Sequence, residues 1–414
     1  MTFPFTAARA TLISDDTVRA DAAEMAAGMG LPDTSAEGWR YSPVGDLDLD
    51  SLQPVTAPPT VSLPKISEYE DHLAALDVAA SVTVINGFVT SVEVADGWAA
   101  KGLVVAEQPF TMPPLAEEPN FFDVLHTGFA PAGLVVSVPD GLVVDEPIVI
   151  RNHLTAQSAG FSSLTVDVAN NAEVMVLEHF TSEAGCLGVP ITNFVVGDRA
   201  TLKHTSVQDL DPSSWQIGRI LGSAGQFGVL SSGLVAFGGK YARVRTDIDL
   251  VGRGAKGELV GAYFCDGDQI IDYRTFQHHR AKDTISDLLF KGTVDDEAGS
   301  VYTGMIHIHP DGAGSNAFQT NRNIKLGEQA WAWSVPNLQI ENNEVRCSHA
   351  STVSPVDPDQ RFYLHSRGVP PTVADRLIVA GFFEEALKRV PIQPAAEMAR
   401  ALISAKLDQR LGIK

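Results

Sequence analysis

The sequence predicts a mainly β protein, a β-solenoid with helical segments at both ends, and three observations carry that prediction. From about residue 80 the chain is a long series of strand-like runs, most of them five to eight residues long. The breaks between them are Gly, Asp or Asn, and no helix-period segment intervenes, so βαβ units are not expected. A polar corner followed by alanine recurs in VANNAEVMV, VGDRATLKH, VGRGAKGELV and DDEAGSVYTG, with corner alanines Ala172, Ala200, Ala255 and Ala298. The first two lie 28 residues apart, the next gap is about twice that, and the last is irregular. A repeat of this length marks stacked coils. A solenoid is preferred to a closed barrel, while a sandwich shares the strand texture and stays open.

The elements follow in order. Residues 1–79 form a mainly helical N-terminal region. SDDTVRADAAEMAAGM (14–29) opens with Ser/Asp cap candidates, continues with good helix formers and ends at Gly30, Leu31 and Pro32. Residues 44–64, rich in Pro, Asp and Thr, read as an extended connection, and 65–80 hold a further short helix. The β core spans 80–350 and begins with VTVINGFVTSVEV, in which Asn86–Gly87 between apolar runs signals a hairpin. A short helix interrupts it at 115–128, around NFFDVLH. After Val353 the prolines of SPVDPDQRFYLHSRGVPP mark a boundary, and 351–414 form a C-terminal helical domain. In TVADRLIVAGFFEEALKRV, Thr372 with Asp375 resembles a capping box. Leu377, Ile378, Phe382 and the stem of Glu385 fall near one face, and Lys388 and Arg389 suit the C-terminal dipole. AAEMARALISAKLDQRL forms the last helix. Such a unit either protects the open end of a solenoid or docks a partner.

Composition excludes several classes. The 414 residues carry a net charge of −21, against a nucleic-acid-binding surface and against docking on an anionic membrane. MTFPFTAARATLISDD lacks the basic and apolar regions of a secretory signal, and no apolar run is long enough for a membrane span. The three cysteines, Cys186, Cys265 and Cys347, are scattered, which fits a reducing cytoplasm.

Several chemical-looking motifs have structural readings. Gly252, Gly254 and Gly257 spell G-x-G-x-x-G, but a strand follows them, so they read as a solenoid corner and no nucleotide is expected on this chain. FGGKY lacks the spacing and the Ser/Thr of a P-loop. Asp295, Asp296 and Glu297 read as a solvated turn. His307 and His309 share a strand face and suit either a metal or a satisfied surface, while the adjacent His278 and His279 face oppositely. Cys186 and Cys265 read as buried structural thiols. In NNEVRCSHASTV, Cys347 and His349 are two apart and share one face of a strand. Two such ligands are too few for a cluster. The pair is therefore half of a site shared with another chain, a structural edge, or a Cys–His nucleophilic pair.

The stretch NEVRCSHASTVSPVDPDQRFYLHSRGVPPTVADRLIVAGFFEEAL resembles the signature region of the SufB/SufD family of iron–sulfur cluster assembly proteins. That family's pattern is C-S-H-[GA]-x-T-V, an acidic spacer, F-Y-L-x-S-R-G and a helix containing G-F. LLFKGTVDDEAGSVYTGMIHIHPDGAGSNAFQTNRNIKL resembles it upstream, and GLPDTSAEGWRYSPVGDL resembles the N-terminal element of the SufD branch. Cys347-Ser348-His349 matches SufD, where SufB-type proteins carry an acidic sequence. WAWSVPNLQI departs from the pattern, and Trp331 and Trp333 make that strand more apolar.

The resemblance implies a right-handed parallel β-helix and a SufD-like scaffold subunit of a SufB–SufC–SufD complex, with no catalysis of its own. It implies pairing with a SufB-type paralogue through the end of the β-helix and a transient iron–sulfur cluster at that interface. His349 is then the candidate cluster ligand and Cys347 a less certain interface thiol. It also implies docking of the SufC-type ATPase on Thr372–Arg389, through Thr372, Asp375, Leu377, Ile378, Phe382 and Phe383. A polysaccharide-acting β-helix enzyme and a homodimeric structural β-helix protein are the alternatives.

Overall fold

Valine, isoleucine and threonine in short runs favour pleated backbone, and tight polar corners return the chain over itself. In the computed structural model, which describes residues 3–14, 16–60, 63, 76–115, 117–410 and 412, these runs wind into a β-solenoid of about 8 turns. Each turn gives one strand to each of two sheets, and neighbouring turns pair in parallel. Thr201 pairs with Glu173 on one side and Val229 on the other, so successive turns are 28 residues apart there. Among the described residues no helix is long and apolar enough to cross a membrane.

The corner repeat has a physical basis. Ala172, Ala200 and Ala255 each precede a strand of the second sheet, and Gly228 fills the same place in the turn between them. Ala298 precedes a strand of the first sheet, Gly299–Ile308, which explains its irregular spacing. In the corners that open the second-sheet strands from Glu173–Ser182 to Asn316–Lys325, the residue before the small one has positive φ: Asn171, Arg199, Phe227, Gly254, Asp283 and Gly314. Their amides donate to the next turn, as Asn171 N to Asp198 O (2.9 Å) and Gly254 N to Lys282 O (3.0 Å). The G-x-G-x-x-G run is part of this column. Gly254 has φ +70°, and a Cβ there would lie 2.5 Å from the Phe227 ring; one on Gly252 would lie 2.0 Å from the Gln226 amide.

The hairpin lies where Asn86–Gly87 predicts it, with Ala80–Ile85 antiparallel to Phe88–Val94 and both turn residues at positive φ. Val104–Gln108 likewise runs antiparallel at the start of the first sheet. Trp98, on a one-turn helix at Asp96–Ala99, and Leu103 join the lumen core at this end. That core runs from Val82 and Val136 to Phe290 and Tyr302.

Two further cores flank the solenoid. The N-terminal helix Thr17–Met29 packs with Phe121–Phe129, the helix expected near 115–128, and their aromatic core continues onto Trp215, Ile217 and Tyr241 of the first sheet. Asn120 and Asp123 close a capping box on Phe121–Phe129. Asp123 also receives two bonds from buried Arg219, 2.9 and 2.8 Å long, with Asp247 3.6 Å from the same guanidinium. Residues 44–64 include one-turn helices at Val44–Asp46 and Leu49–Ser51, and the helix expected in 65–80 lies largely outside the described residues. On the second sheet, Val379, Phe383, Ala386 and Leu387 pack with Met398, Leu402 and Leu407 over Val235, Val260 and Leu289.

Two expectations need correction. Asp295 is not solvated: it is buried and paired with Arg410 of the last helix, which ties that helix to a solenoid corner. Thr372 is no helix cap. Pro370 holds the cap position and Pro371 the first turn, and Asp375 instead accepts two bonds from Arg361, 2.6 and 2.8 Å long.

Replacing Arg219 by Met leaves the Asp123 carboxylate buried without its cation, while Asp247 keeps Arg245, and is expected to cost about 3–5 kcal/mol, read as a lowered urea midpoint. Burial pushes the His126 and His179 imidazoles down to about 4 from 6.5, so an unfolded chain binds their protons first. Stability is therefore expected to be full above the unfolded value and to fall as pH drops from 6.5 toward 4. A urea midpoint measured against pH checks this, and His126→Gln should flatten the slope.

Candidate functional site at the open end of the solenoid

Every inner turn has a turn on each side; the last has one. Its strands, Trp331–Ile340 and Arg346–Pro355, pair inward with Gly299–Ile308 and Asn316–Lys325. Their far edges carry no further strand among the described residues. Such an edge offers a row of unpaired N–H and C=O groups. The lumen is open with it: Ile340 and Val353 pair with lumen positions, yet each is 44% exposed.

Cys347 and His349 lie on this last strand. In parallel register Cys347 stacks on Ala317 and His349 on Gln319, both buried. Both side chains therefore share one face, as their spacing predicts, and that face is the lumen. Cys347 is half-buried against Ile306, Ile308 and Leu338, and that burial raises its thiol above the ordinary value. His349 is exposed because no turn covers it. The Gln319 amide beneath it finds no hydrogen-bond partner among the described residues, nor does the Ser334 hydroxyl of the facing strand. The open end thus combines apolar side chains with polar groups that lack partners.

The apolar departure on the facing strand is partly covered. Trp331 packs over Gly299, where a Cβ would come within 2.2 Å of its ring. Trp333 stacks on Tyr41, with ring centroids 4.7 Å apart and planes 9° from parallel. Tyr41 belongs to the Gly38-Trp39-Arg40-Tyr41 segment, held by Arg243 on the Gly38 carbonyl (2.8 Å) and over the Trp39 ring (4.0 Å). Buried Asp272 orients Arg243 (2.9 Å) and Arg274 (3.0 Å).

Beside the last strand runs a groove of about 770 Å³, lined by Arg322, Thr352, Asp357, Tyr363, Leu377 and Phe382 among others. Its outer wall is the helices Pro358–Ser366 and Pro371–Leu387. Of the residues expected to dock a partner, Thr372 and Leu377 are exposed, and Asp375 is engaged with Arg361. Ile378 and Phe382 are half-buried and line the groove together with Leu377. Phe383 is wholly buried in the chain's own core, which removes it from any docking surface. Phe362 and Tyr363, which sequence reasoning passed over, stand 75% and 58% exposed on the neighbouring helix. They fall in the F-Y-L-x-S-R-G stretch of the family pattern, but their helix has no apolar stripe that would mark them as exposed.

A second cluster lies on the outer face of the first sheet. His278 pairs with His307, and His307 stacks on His309 with ring centroids 3.8 Å apart. One nitrogen from each of the three falls within 4.8 Å of the others. His307 Nε2 is 2.8 Å from Glu341 Oε1, and Gln339 Nε2 donates to the same oxygen at 2.8 Å. Desolvation, with His307 alongside, brings His309 down to about 4. His279 faces oppositely to His278, as expected; it points inward and bonds Thr284 and Ser286, both at 2.8 Å. Glu341 and His278 belong to other turns, so only the register joins them to the His307/His309 pair.

Residues 151–382 match the family model described as SUF system FeS cluster assembly, SufBD core domain. An iron–sulfur cluster assembly SufBD family protein of Mycobacterium tuberculosis is 32% identical over 292 residues, covering 68% of this chain and 72% of that one. The iron–sulfur cluster assembly protein SufD of Bacillus subtilis is 26% identical over 290 residues, 68% of this chain and 66% of its own. A chloroplastic protein of Arabidopsis thaliana is 24% identical over 413 residues, 92% of this chain and 84% of its own.

Alkylation of the native chain is expected to label Cys347 alone, slowly at pH 7 and faster as pH rises, since burial holds its thiol protonated. Cys186 and Cys265 are buried and should react only after denaturation, as peptide mass spectrometry will show.

Proposed function

This chain belongs to the SufB/SufD family of iron–sulfur cluster assembly proteins, on its SufD branch, and from that premise we propose that it is a non-catalytic scaffold subunit completed by a SufB-type paralogue at its open end. The observation that carries the proposal is the uncovered last turn. Its backbone edges and its lumen face, with His349 on it, are what a second chain of the same architecture would cover.

The chemistry then follows from what each side chain offers. His349 presents an imidazole nitrogen at the seam, suited to iron in a cluster that is cargo rather than a resident group. Cys347 lies two residues away on the same face, more deeply set and held as a thiol. One such chain supplies too few ligands, so the cluster is shared, with the remaining ligands on the partner. Placing the ligand on a rigid ladder fixes its position, and separating the two chains would release the cargo.

The SufC-type ATPase docks on the helical face, at Phe362, Tyr363 and Leu377 beside the groove. The helix Pro371–Leu387 is fastened to the second sheet by Phe383 and by Lys291, which pairs with Glu385 at 2.6 Å. The groove's other wall is the last strand itself, so movement of the helices bears directly on the seam. The chain binds no nucleotide, and its partner hydrolyses the ATP. With three unpaired thiols it works in the cytoplasm.

His349→Ala is expected to lower the iron–sulfur content of the reconstituted complex several-fold while leaving subunit stoichiometry intact. Co-purification with SufB- and SufC-type partners, followed by anaerobic reconstitution and visible absorption, checks it. Unchanged cluster content would remove His349 from the site. A self-pair that no paralogue displaces would favour a structural homodimer using the same edge.

A further inference from the structure

The ladder that builds the solenoid also brings three histidines and a glutamate from three successive turns to one place. His278 and His307 are register partners, so their side chains stack on the same outer face. His309 is two residues beyond His307 and shares that face. Its amide donates to His279 O (3.0 Å), and the Glu341 amide donates to Ile308 O (2.9 Å). Each of the four positions is thus set by backbone pairing rather than by a free loop.

The donor atoms are poorly used. Both ring nitrogens of His278 and Nε2 of His309 are shielded from solvent and have no hydrogen-bond partner among the described residues. Buried polar atoms of that kind call for an explanation, such as a bound water or ion. His307 Nε2 and Glu341 Oε1 face each other across 2.8 Å beside them. The cluster is not sealed, since His307 and Glu341 side chains are 17% and 40% exposed, which leaves an entry path.

We propose that His278, His307, His309 and Glu341 form a binding site for a divalent first-row transition cation of the zinc, cobalt or iron(II) class. Three imidazoles and one carboxylate match that class and disfavour magnesium and calcium, which take oxygen ligands. Metal–nitrogen bonds of about 2.1 Å put tetrahedral ligands about 3.4 Å apart. The nitrogens lie within 4.8 Å of one another, so ring rotations close the set without moving the ladder. Gln339, donating to Glu341 at 2.8 Å, orients the carboxylate as an outer-shell partner. The site lies on the outer face of the first sheet and His349 on the second, so it is distinct from the His349 site.

The test is titration of the purified, chelator-stripped full chain with Co²⁺, followed by visible d–d absorption. One Co²⁺ per chain is expected, with the intense bands of four- or five-coordination, displaced by Zn²⁺ and not by Mg²⁺. His309→Ala and the surface change Glu341→Gln should each weaken binding at least about tenfold, with the circular dichroism of the native chain retained. His365→Ala, an exposed histidine on a C-terminal helix, should not alter it. Absence of saturable Co²⁺ absorption would overturn the site. So would a signal that survives both His309→Ala and Glu341→Gln, or one that disappears with His349→Ala instead.

Discussion

The constraint on which the molecule depends is that each turn's backbone groups must be answered by the turns above and below. Parallel strands leave their N–H and C=O groups pointing along the stack, so a turn's backbone is fully answered only between neighbours. The corner column makes that pairing regular, because each positive-φ residue aims its amide at the next turn. Everything else is placed by this ladder. It stacks lumen side chains such as Val174, Leu202 and Leu230 into one core. It also sets His349 over Gln319 and His278 beside His307.

The two ends meet the constraint differently. At the start, antiparallel strands bring the sheets to a polar edge, and Trp98 sits over the lumen with its indole donating to Glu146 at 2.8 Å. At the finish there is no reversal and no plug among the described residues. The flanking helices reinforce the difference, since both cover sheet faces and leave the last turn's edge free. The N-terminal segment reaches that turn through Tyr41 on Trp333, and the C-terminal helices reach it through the groove.

Much of the fold was legible because its signals are local. Asn86–Gly87, the Asn120 helix and the polar corners each declare themselves within a few residues. The solenoid was legible through its corner spacing, although Ala298 belonged to the other corner and blurred the period. The face shared by Cys347 and His349 followed from strand periodicity alone. What stayed hidden depends on distant partners. Asp295 reads as a solvated turn until Arg410 arrives from the far end of the chain. Phe383 and Phe362 are the same residue type in similar helices, and only the packing of one helix on the second sheet decides which is buried. Glu341 and Gln319 become site residues solely through register, which no single sequence window contains.

The plug at one end limits how such chains add together. A solenoid open at both ends can accept a neighbour at each and grow into a filament, the head-to-tail contact that never closes. Here Trp98 and the antiparallel strands leave one end without a lumen face to offer. On the pairing proposed above, only open ends would meet and the first meeting would consume both. Growth would then stop at a pair, and the seam between the two chains would be used once.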